Sequence, residues 1–540
     1  MFAVGIATVA LVAACSGNSG DSGTGSPGQP RTGGDLTLAI NDSVRSLDPH
    51  IATPNFSEAL VNQNVYDKLL WQDPKTGDLK PWLATKWETN NDATSFRFWL
   101  RPGVTFSDGS ELDAQVVKDN LDQLAKGNEE LGLAPVPAFA TNYGGTTVLA
   151  PDELEVTYTQ PAASFLNATS FYPGAILGEA TLKKSVRDRQ VPANLVGSGP
   201  FTVKSYAVQG DTVLARRTNY NWAPADVGHS GAAYLDSVTL RQVSDEGVRV
   251  GAVRSQQVDV SLGISPTSEK ILDAGGLQVI GKPLLGWDIG FYFQVNNAPT
   301  NDPSVRKAIV LGWDRDGARK LVTSNYSLST SVVSKGVPGW VDHSNDLTYD
   351  PSAAAKLLDD DGWKPGGDGI RVKDGKRLTV KAIGITNFVV NQPLYEYIQS
   401  DLRKIGIQLD LQVLPIADYG AAQTSAKRDG TLNASIAGQG RDDISVIRQT
   451  LSPTYSNLLG LKPGDQYYQP LVDVTAKLDS TTDPARRAQY AADAQKYIID
   501  NALVNPVYTT QSVQAANKNV QGITFDSLGR NFLYTTWLSN

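Results

Sequence analysis

Between Leu394 and Val413 the hydrophobic period changes once, and it changes at a glycine. Leu394, Ile398, Leu402 and Ile405 are spaced four, four and three residues apart, which lines one face of an α-helix. Gly406 follows, and glycine ends helices by taking the left-handed conformation. Ile407, Leu409, Leu411 and Val413 then alternate with their neighbours, the period of a half-buried strand. A helix that hands over directly to a strand must bury both apolar faces against other layers, so α/β packing is expected here. The helix starts agree. Asp302-Pro303, Asp350-Pro351 and Asp483-Pro484 each place a capping carboxylate before a proline whose missing N–H is not needed in the first turn. Leu357 and Leu358 are expected to face inward in the second of these helices, with Gly362 as its stop.

The first half carries the same signals. Leu36, Leu38 and Ile40 alternate as a strand, broken by Leu47-Asp48-Pro49-His50. Asn62 to Leu70 is expected to be helical, with Val65, Leu69 and Leu70 on one side. Phe96, Phe98 and Leu100 alternate as a further strand, and Val116, Val117, Leu121 and Leu124 mark a further helix.

The first fifteen residues read differently. Phe2 to Ala14 is apolar but shorter than the ~20 residues that a membrane-spanning helix needs. It has the length of a secretory signal's hydrophobic part and ends in Val12-Ala13-Ala14-Cys15. This resembles the lipobox of bacterial lipoproteins, which implies cleavage before Cys15 and its lipidation. No Lys or Arg precedes the run, a departure from the usual basic start that a start codon placed too late would explain. Residues 16–34 are rich in Ser, Gly, Pro and Thr and are expected to form a flexible tether.

Several functions are disfavoured. A net charge of −8 argues against nucleic-acid partners, which need basic surface. Cys15 is the single cysteine, so an intramolecular disulfide and a cysteine-based zinc site are both ruled out. His50, His229 and His343 lie far apart in sequence, and no metal or other cofactor is expected. Gly23, Gly25 and Gly28 match a dinucleotide fingerprint in spacing, but no strand precedes them. Gly281-Lys282 is followed by Pro283, not by the Ser or Thr of a phosphate loop. Val196 stands where a nucleophile elbow at Ser198 would need glycine.

Longer blocks carry a resemblance. Tyr66-Asp67-Lys68-Leu69-Leu70-Trp71, the stretch through Lys80-Pro81-Trp82-Leu83 to Trp87-Glu88, and Phe106-Ser107-Asp108-Gly109 follow one another after Leu47-Asp48-Pro49. Gly197-Ser198-Gly199-Pro200-Phe201, Arg217-x-Asn219-Tyr220-Asn221-Trp222, Asp302 to Ile309 with Asp314-Arg315, and Tyr349-Asp350-Pro351 through Gly362-Trp363 come later in order. Residues 35–540 thereby resemble the extracytoplasmic solute-binding proteins of family 5, the peptide- and nickel-binding lipoproteins of ABC importers. The resemblance implies an α/β, two-lobed periplasmic-binding-protein type II fold with an extra small domain in the first lobe. It places lobe I at 35–75, 195–285 and 511–540, the extra domain at 76–194 and lobe II at 286–510. It further implies a monomeric, non-enzymatic receptor on the outer face of the cell membrane. That receptor would close on a solute, peptides foremost, and deliver it to the importer's permease and ATPase subunits.

The resemblance also points to a site. In peptide-binding relatives a carboxylate in the second lobe holds the ligand's ammonium, a charge-assisted contact. The matching stretch here is Ala437 to Ile444, with Gln439 in place of a tryptophan and Arg441 intruding. Asp442 or Asp443 is the anchor, or else both acids cap the helix expected near Ile444. Arg441 either faces the cleft, where its guanidinium suits a sugar-like or anionic solute, or forms a surface ion pair. A metal chelate is a further cargo that the family allows. By position, Asn55, Phe56, Trp287, Phe291, Tyr292, Phe293, Tyr419 and Asn457 complete the candidate ligand contacts, although aromatic runs more often serve a core. A hydrolase or a structural envelope lipoprotein is the reading from outside this class.

Overall fold

In the computed structural model, which describes residues 28–50, 56–323, 325–385, 392–440 and 443–539, Leu36, Leu38 and Ile40 lie in the strand Asp35–Ile40 near the middle of a seven-stranded sheet. Its neighbours Ser237–Gln242 and Val260–Leu262 run parallel to it. Thr212–Arg216 and Phe201–Ser205 extend the sheet on one side, Gln511–Ala516 and Gln278–Pro283 on the other, each added by antiparallel pairing. Helices cover this sheet, and Leu36, Leu38, Val238, Leu240 and Leu262 join one buried cluster.

A second, six-stranded sheet is ordered Ser327–Leu328, Val504–Thr509, Gly286–Phe293, Ala434–Gly440, Thr379–Ile385, Gln408–Leu414. Here the change of period at Gly406 is realised. The helix Gln392–Lys404 ends, Gly406 takes φ 87°, and Gln408–Leu414 pairs parallel with Thr379–Ile385. The stripe Leu394, Ile398 and Leu402 is fully buried. The Asp-Pro devices also form as expected. The carboxylates of Asp302, Asp350 and Asp483 accept the N–H groups of Ser304, Ala353 and Arg486. A third, four-stranded antiparallel sheet (Ala84–Thr89, Ser95–Leu100, Glu153–Tyr158, Tyr143–Ala150) with the helix Ala114–Lys126 forms the small extra domain beside the first lobe.

Among the described residues the chain passes between the two large sheets at two points, and these lie side by side. Pro283 to Gly286 leads from the first sheet to the second, and Thr509 to Gln511 leads back. The Leu284 N–H donates to the Thr510 carbonyl at 2.8 Å between the two passages. The protein is therefore two lobes joined by a two-stranded bridge.

Two local expectations change. The helix expected over Asn62 to Leu70 is Phe56–Val65. Leu69 and Leu70 fall beyond it, and Leu70 opens the short strand Leu70–Gln72. The cause is long-range: the Gly199 N–H donates to the Val65 carbonyl at 2.9 Å, satisfying an acceptor that a continuing helix would have used. Gly197 and Gly199 are needed for this approach, since a Cβ on either would come 2.3 Å and 2.6 Å from Val65 backbone atoms. Leu358 is buried as expected, whereas Leu357 is only half-buried at the side of its helix.

Candidate functional site

Open α/β sheets present ligands with the carboxyl edge of their parallel strands. In the first lobe Ile40, Gln242 and Leu262 end at one edge, and the pairing of Gln278–Pro283 with Gln511–Ala516 puts Pro283 at that same edge. In the second lobe Gly286 pairs with Gly440, so strand Ala434–Gly440 finishes beside the bridge, and its neighbour Thr379–Ile385 runs parallel to it toward the same edge. The bridge thus joins the carboxyl edges of the two sheets.

The residues singled out from the sequence fall into separate groups. Cys15, Asn55, Arg441 and Asp442 lie outside the described residues. Phe56 opens the helix that follows the first strand and is half-buried. Gln439 pairs through its backbone with Trp287 next to the bridge. Trp287 is half-buried, stands edge-on to Tyr292 at 4.6 Å, and keeps a buried Nε1 without a partner among the described residues.

Phe291, Tyr292 and Phe293 are 1%, 1% and 0% exposed. They sit in an interior strand packed on both faces, so they serve the core of the second lobe, Phe291 against Tyr395 and the Tyr292 hydroxyl donating to the Asp288 carbonyl at 2.6 Å. Tyr419 lies half-buried on the helix Ile416–Arg428, where its hydroxyl accepts from Gln423 at 2.8 Å and burial raises its pKa. Asn457 takes φ 46° and spends both ends of its amide on its own turn, donating to the Leu461 carbonyl at 2.7 Å and accepting from its N–H at 2.9 Å. Asp443 is 2% exposed, and its Oδ1 accepts from Arg487 at 2.6 Å and from the Ser445 N–H at 2.9 Å. It therefore caps the turn that leads into the helix Val446–Leu451.

One acid at the bridge was not singled out. Asp288 follows Trp287 and is fully surrounded, with Ser334 donating to one carboxylate oxygen at 2.6 Å and Ser329 and Thr509 to the other at 2.6 and 3.1 Å. Burial raises its pKa to about 6, against the lowering effect of those hydroxyls. The signal was a lone carboxylate in the otherwise apolar Gly286–Phe293. A carboxyl whose pKa is higher in the folded state stabilises the fold below its unfolded pKa of 3.8, and that contribution is lost as pH rises from there through about 6. Asp288→Asn removes the titration, so in urea unfolding it is expected to gain about 2 kcal/mol on the parent between roughly pH 4 and pH 7.5. A pH-independent difference would contradict this assignment.

Among the described residues no group of three or more His, Cys, Asp or Glu could hold a metal ion. No helix among them is long and apolar enough to cross a membrane.

Comparison with known proteins follows the same lines. A family model described as bacterial extracellular solute-binding proteins, family 5 Middle, matches residues 78–457. The glutathione-binding protein GsiB of Salmonella paratyphi A is 24% identical over 506 residues, covering 90% of this chain and 91% of the relative. GsiB of Escherichia coli K12 is 24% identical over 509 residues, with the same shares covered. Among solved structures, NikA from Brucella suis in complex with Fe(III)-EDTA superposes with a TM-score of 0.78 at 22% identity, over 94% of this chain and 100% of that one. The oligopeptide-binding protein AppA from Bacillus subtilis, in complex with a nonapeptide, gives 0.74 at 18% identity over 95% and 100%.

Proposed function

Since the chain belongs to the bacterial extracellular solute-binding proteins of family 5, which are transport receptors of ABC importers and not enzymes, we propose that it captures peptides by closing its two lobes about the bridge. The observation that carries the closing mechanism is the bridge itself: two adjacent backbone passages that join the carboxyl edges of both sheets. A ligand touching both walls binds the closed form more tightly than the open one and shifts the population toward it. In this reading Cys15 carries the lipid that holds the receptor on the outer face of the membrane, and permease subunits receive the loaded form.

In the loop after strand Ala434–Gly440, Asp443 Oδ1 is taken by Arg487 and the Ser445 N–H, which supports Asp442 as the anchor for a peptide's ammonium. A hydrogen-bonded charge pair of this kind contributes ~1.5–3 kcal/mol. Asp442→Ala is therefore expected to weaken peptide binding roughly 10- to 100-fold with the melting temperature kept. Asp443→Ala is expected to lower the melting temperature instead. Calorimetry and thermal melts on both variants check the division, and the reverse pattern would move the anchor to Asp443.

A second reading, a dedicated anionic solute, is favoured by Arg441 beside Asp442 and by the glutathione-binding proteins among the relatives. Native mass spectrometry of the body from Ser16 onward, purified from rich medium, separates the two. A spread of excess masses matching short peptides supports peptide cargo. One discrete mass replaces it with a single solute held by Arg441.

A further inference from the structure

Away from the bridge, the lobes meet again on the side of the small domain. The chain leaving strand Glu153–Tyr158 turns through Ala162 to Ser164 into the short helix Phe165–Ala168. Two backbone N–H groups of that turn reach the second lobe. Ala163 donates to the Asp479 carbonyl at 3.1 Å, and Ser164 donates to Asp479 Oδ1 at 3.3 Å. Ala163 and Asp479 are 2% and 4% exposed, so the contact excludes water.

The accepting carboxylate is held from behind. Ser445 Oγ donates to its Oδ1 at 2.9 Å and Arg448 Nη1 to its Oδ2 at 2.7 Å. Arg487 Nη2 fixes Ser445 at 2.7 Å and pairs with Asp443 at 2.6 Å. A continuous set of hydrogen bonds therefore runs from Asp443, in the loop that follows the cleft strand Ala434–Gly440, to the seam between the lobes. Everything on the Asp479 side comes from the second lobe, and both remaining donors come from the small domain. Separating the lobes would break the two backbone hydrogen bonds and leave the Asp479 support intact.

We propose that Asp479 is the latch of the closed state: it takes the Ala163 and Ser164 N–H groups when the lobes close and is aimed at them by Ser445, Arg448 and Arg487. The proposal rests on the closing mechanism given above. The Ser164 N–H adds a donor to the buried carboxylate and the Ala163 N–H satisfies the Asp479 main-chain carbonyl, so the seam favours the closed form through both bonds.

The test reads the closed fraction directly. From Ser16 onward the chain has no cysteine, so Leu149→Cys in the small domain and Gln469→Cys in the second lobe, both exposed, accept spin labels without competition. Distances between the labels are measured by pulsed electron resonance, with and without casein hydrolysate as a mixed peptide probe. Ser164→Pro deletes one donor at a residue whose φ of −66° already suits proline. It is expected to lower the ratio of closed to open form about fivefold in hydrolysate. Asp479→Asn, which keeps an acceptor but loses the charge, is expected to lower it less, and Ser164→Ala to leave it unchanged. Ser164→Pro and Asp479→Asn proteins that close like the parent would overturn the latch while leaving hinge closure standing. A parent whose distances do not respond to hydrolysate would instead sink the closing mechanism and the latch with it.

Discussion

Replacing Arg306 by methionine is expected to destabilise the second lobe by about 4 kcal/mol, since it strands several buried acceptors at once. The side chain is completely buried. Its Nε donates to the Ala502 carbonyl at 3.0 Å, Nη1 to those of Thr300 and Asn301 at 2.8 and 3.2 Å, and Nη2 to the Asn501 carbonyl and the Tyr467 hydroxyl at 3.1 and 2.8 Å. The guanidinium also lies over the Tyr467 ring at 5.2 Å. None of these partners is a carboxylate, and burial holds the arginine below its ordinary pKa. The residue is a charged clasp on carbonyls at the end of the helix Pro484–Asp500 and in the turn before the helix Pro303–Leu311. Lysine cannot present the same planar fork, so Arg306→Lys should recover less than half of the loss. Guanidinium unfolding followed by tryptophan fluorescence checks both, and a loss under about 1 kcal/mol for Arg306→Met would contradict the assignment.

Asp48→Ala is expected to cost a similar ~3–5 kcal/mol, because it leaves a buried guanidinium without its counter-charge. The Asp48 and Arg189 side chains are both fully buried, with Nη1 3.2 and 3.1 Å from the two carboxylate oxygens. The rest of the guanidinium donates to Gln123, Leu182 and Lys184, and Asp48 Oδ1 also accepts the His50 N–H at 2.9 Å. The pair thereby ties the turn after the first strand of lobe I to the helix Ala114–Lys126, and so seats the small domain. Replacing both partners at once, in Asp48→Ala with Arg189→Met, is expected to recover most of the loss, since no unpaired charge is then left inside. Denaturation of the single and double variants gives the coupling, and additive losses would contradict it.

These two residues also show what the sequence could and could not reveal. The capping aspartates at Asp302, Asp350 and Asp483, the helix ending before Gly406 and the strand after it were legible because each is decided within a few neighbouring residues. The order of blocks around Asp48, Gly199 and Arg306 pointed to the family, yet their physical roles depend on partners far along the chain. Arg189 is 141 positions from Asp48, and Ala502 is 196 from Arg306. No local period encodes such pairs. The helix expected over Asn62 to Leu70 lies at Phe56–Val65 for the same reason, its end being fixed by Gly199. Within the candidate site, the aromatic run Phe291 to Phe293 drew attention as a ligand surface because sequence does not distinguish an interior strand from a cleft wall. Asp443 and Asn457 are equally ambiguous in sequence, which does not show that Arg487 takes Asp443 Oδ1 or that Leu461 takes the Asn457 amide.

The bridge has a mechanical consequence. Two neighbouring backbone passages, Pro283 to Gly286 and Thr509 to Gln511, define a line, and a rigid lobe turned about a line carries each atom along an arc that lengthens with its distance from it. A rotation of roughly 10° shared among a few torsions would move an atom about 20 Å from that line by about 3–4 Å. Under the proposed closing mechanism the molecule would work as a lever with its fulcrum in those few residues. A partner resting on both rims would meet two distinct outlines from one small change at the fulcrum.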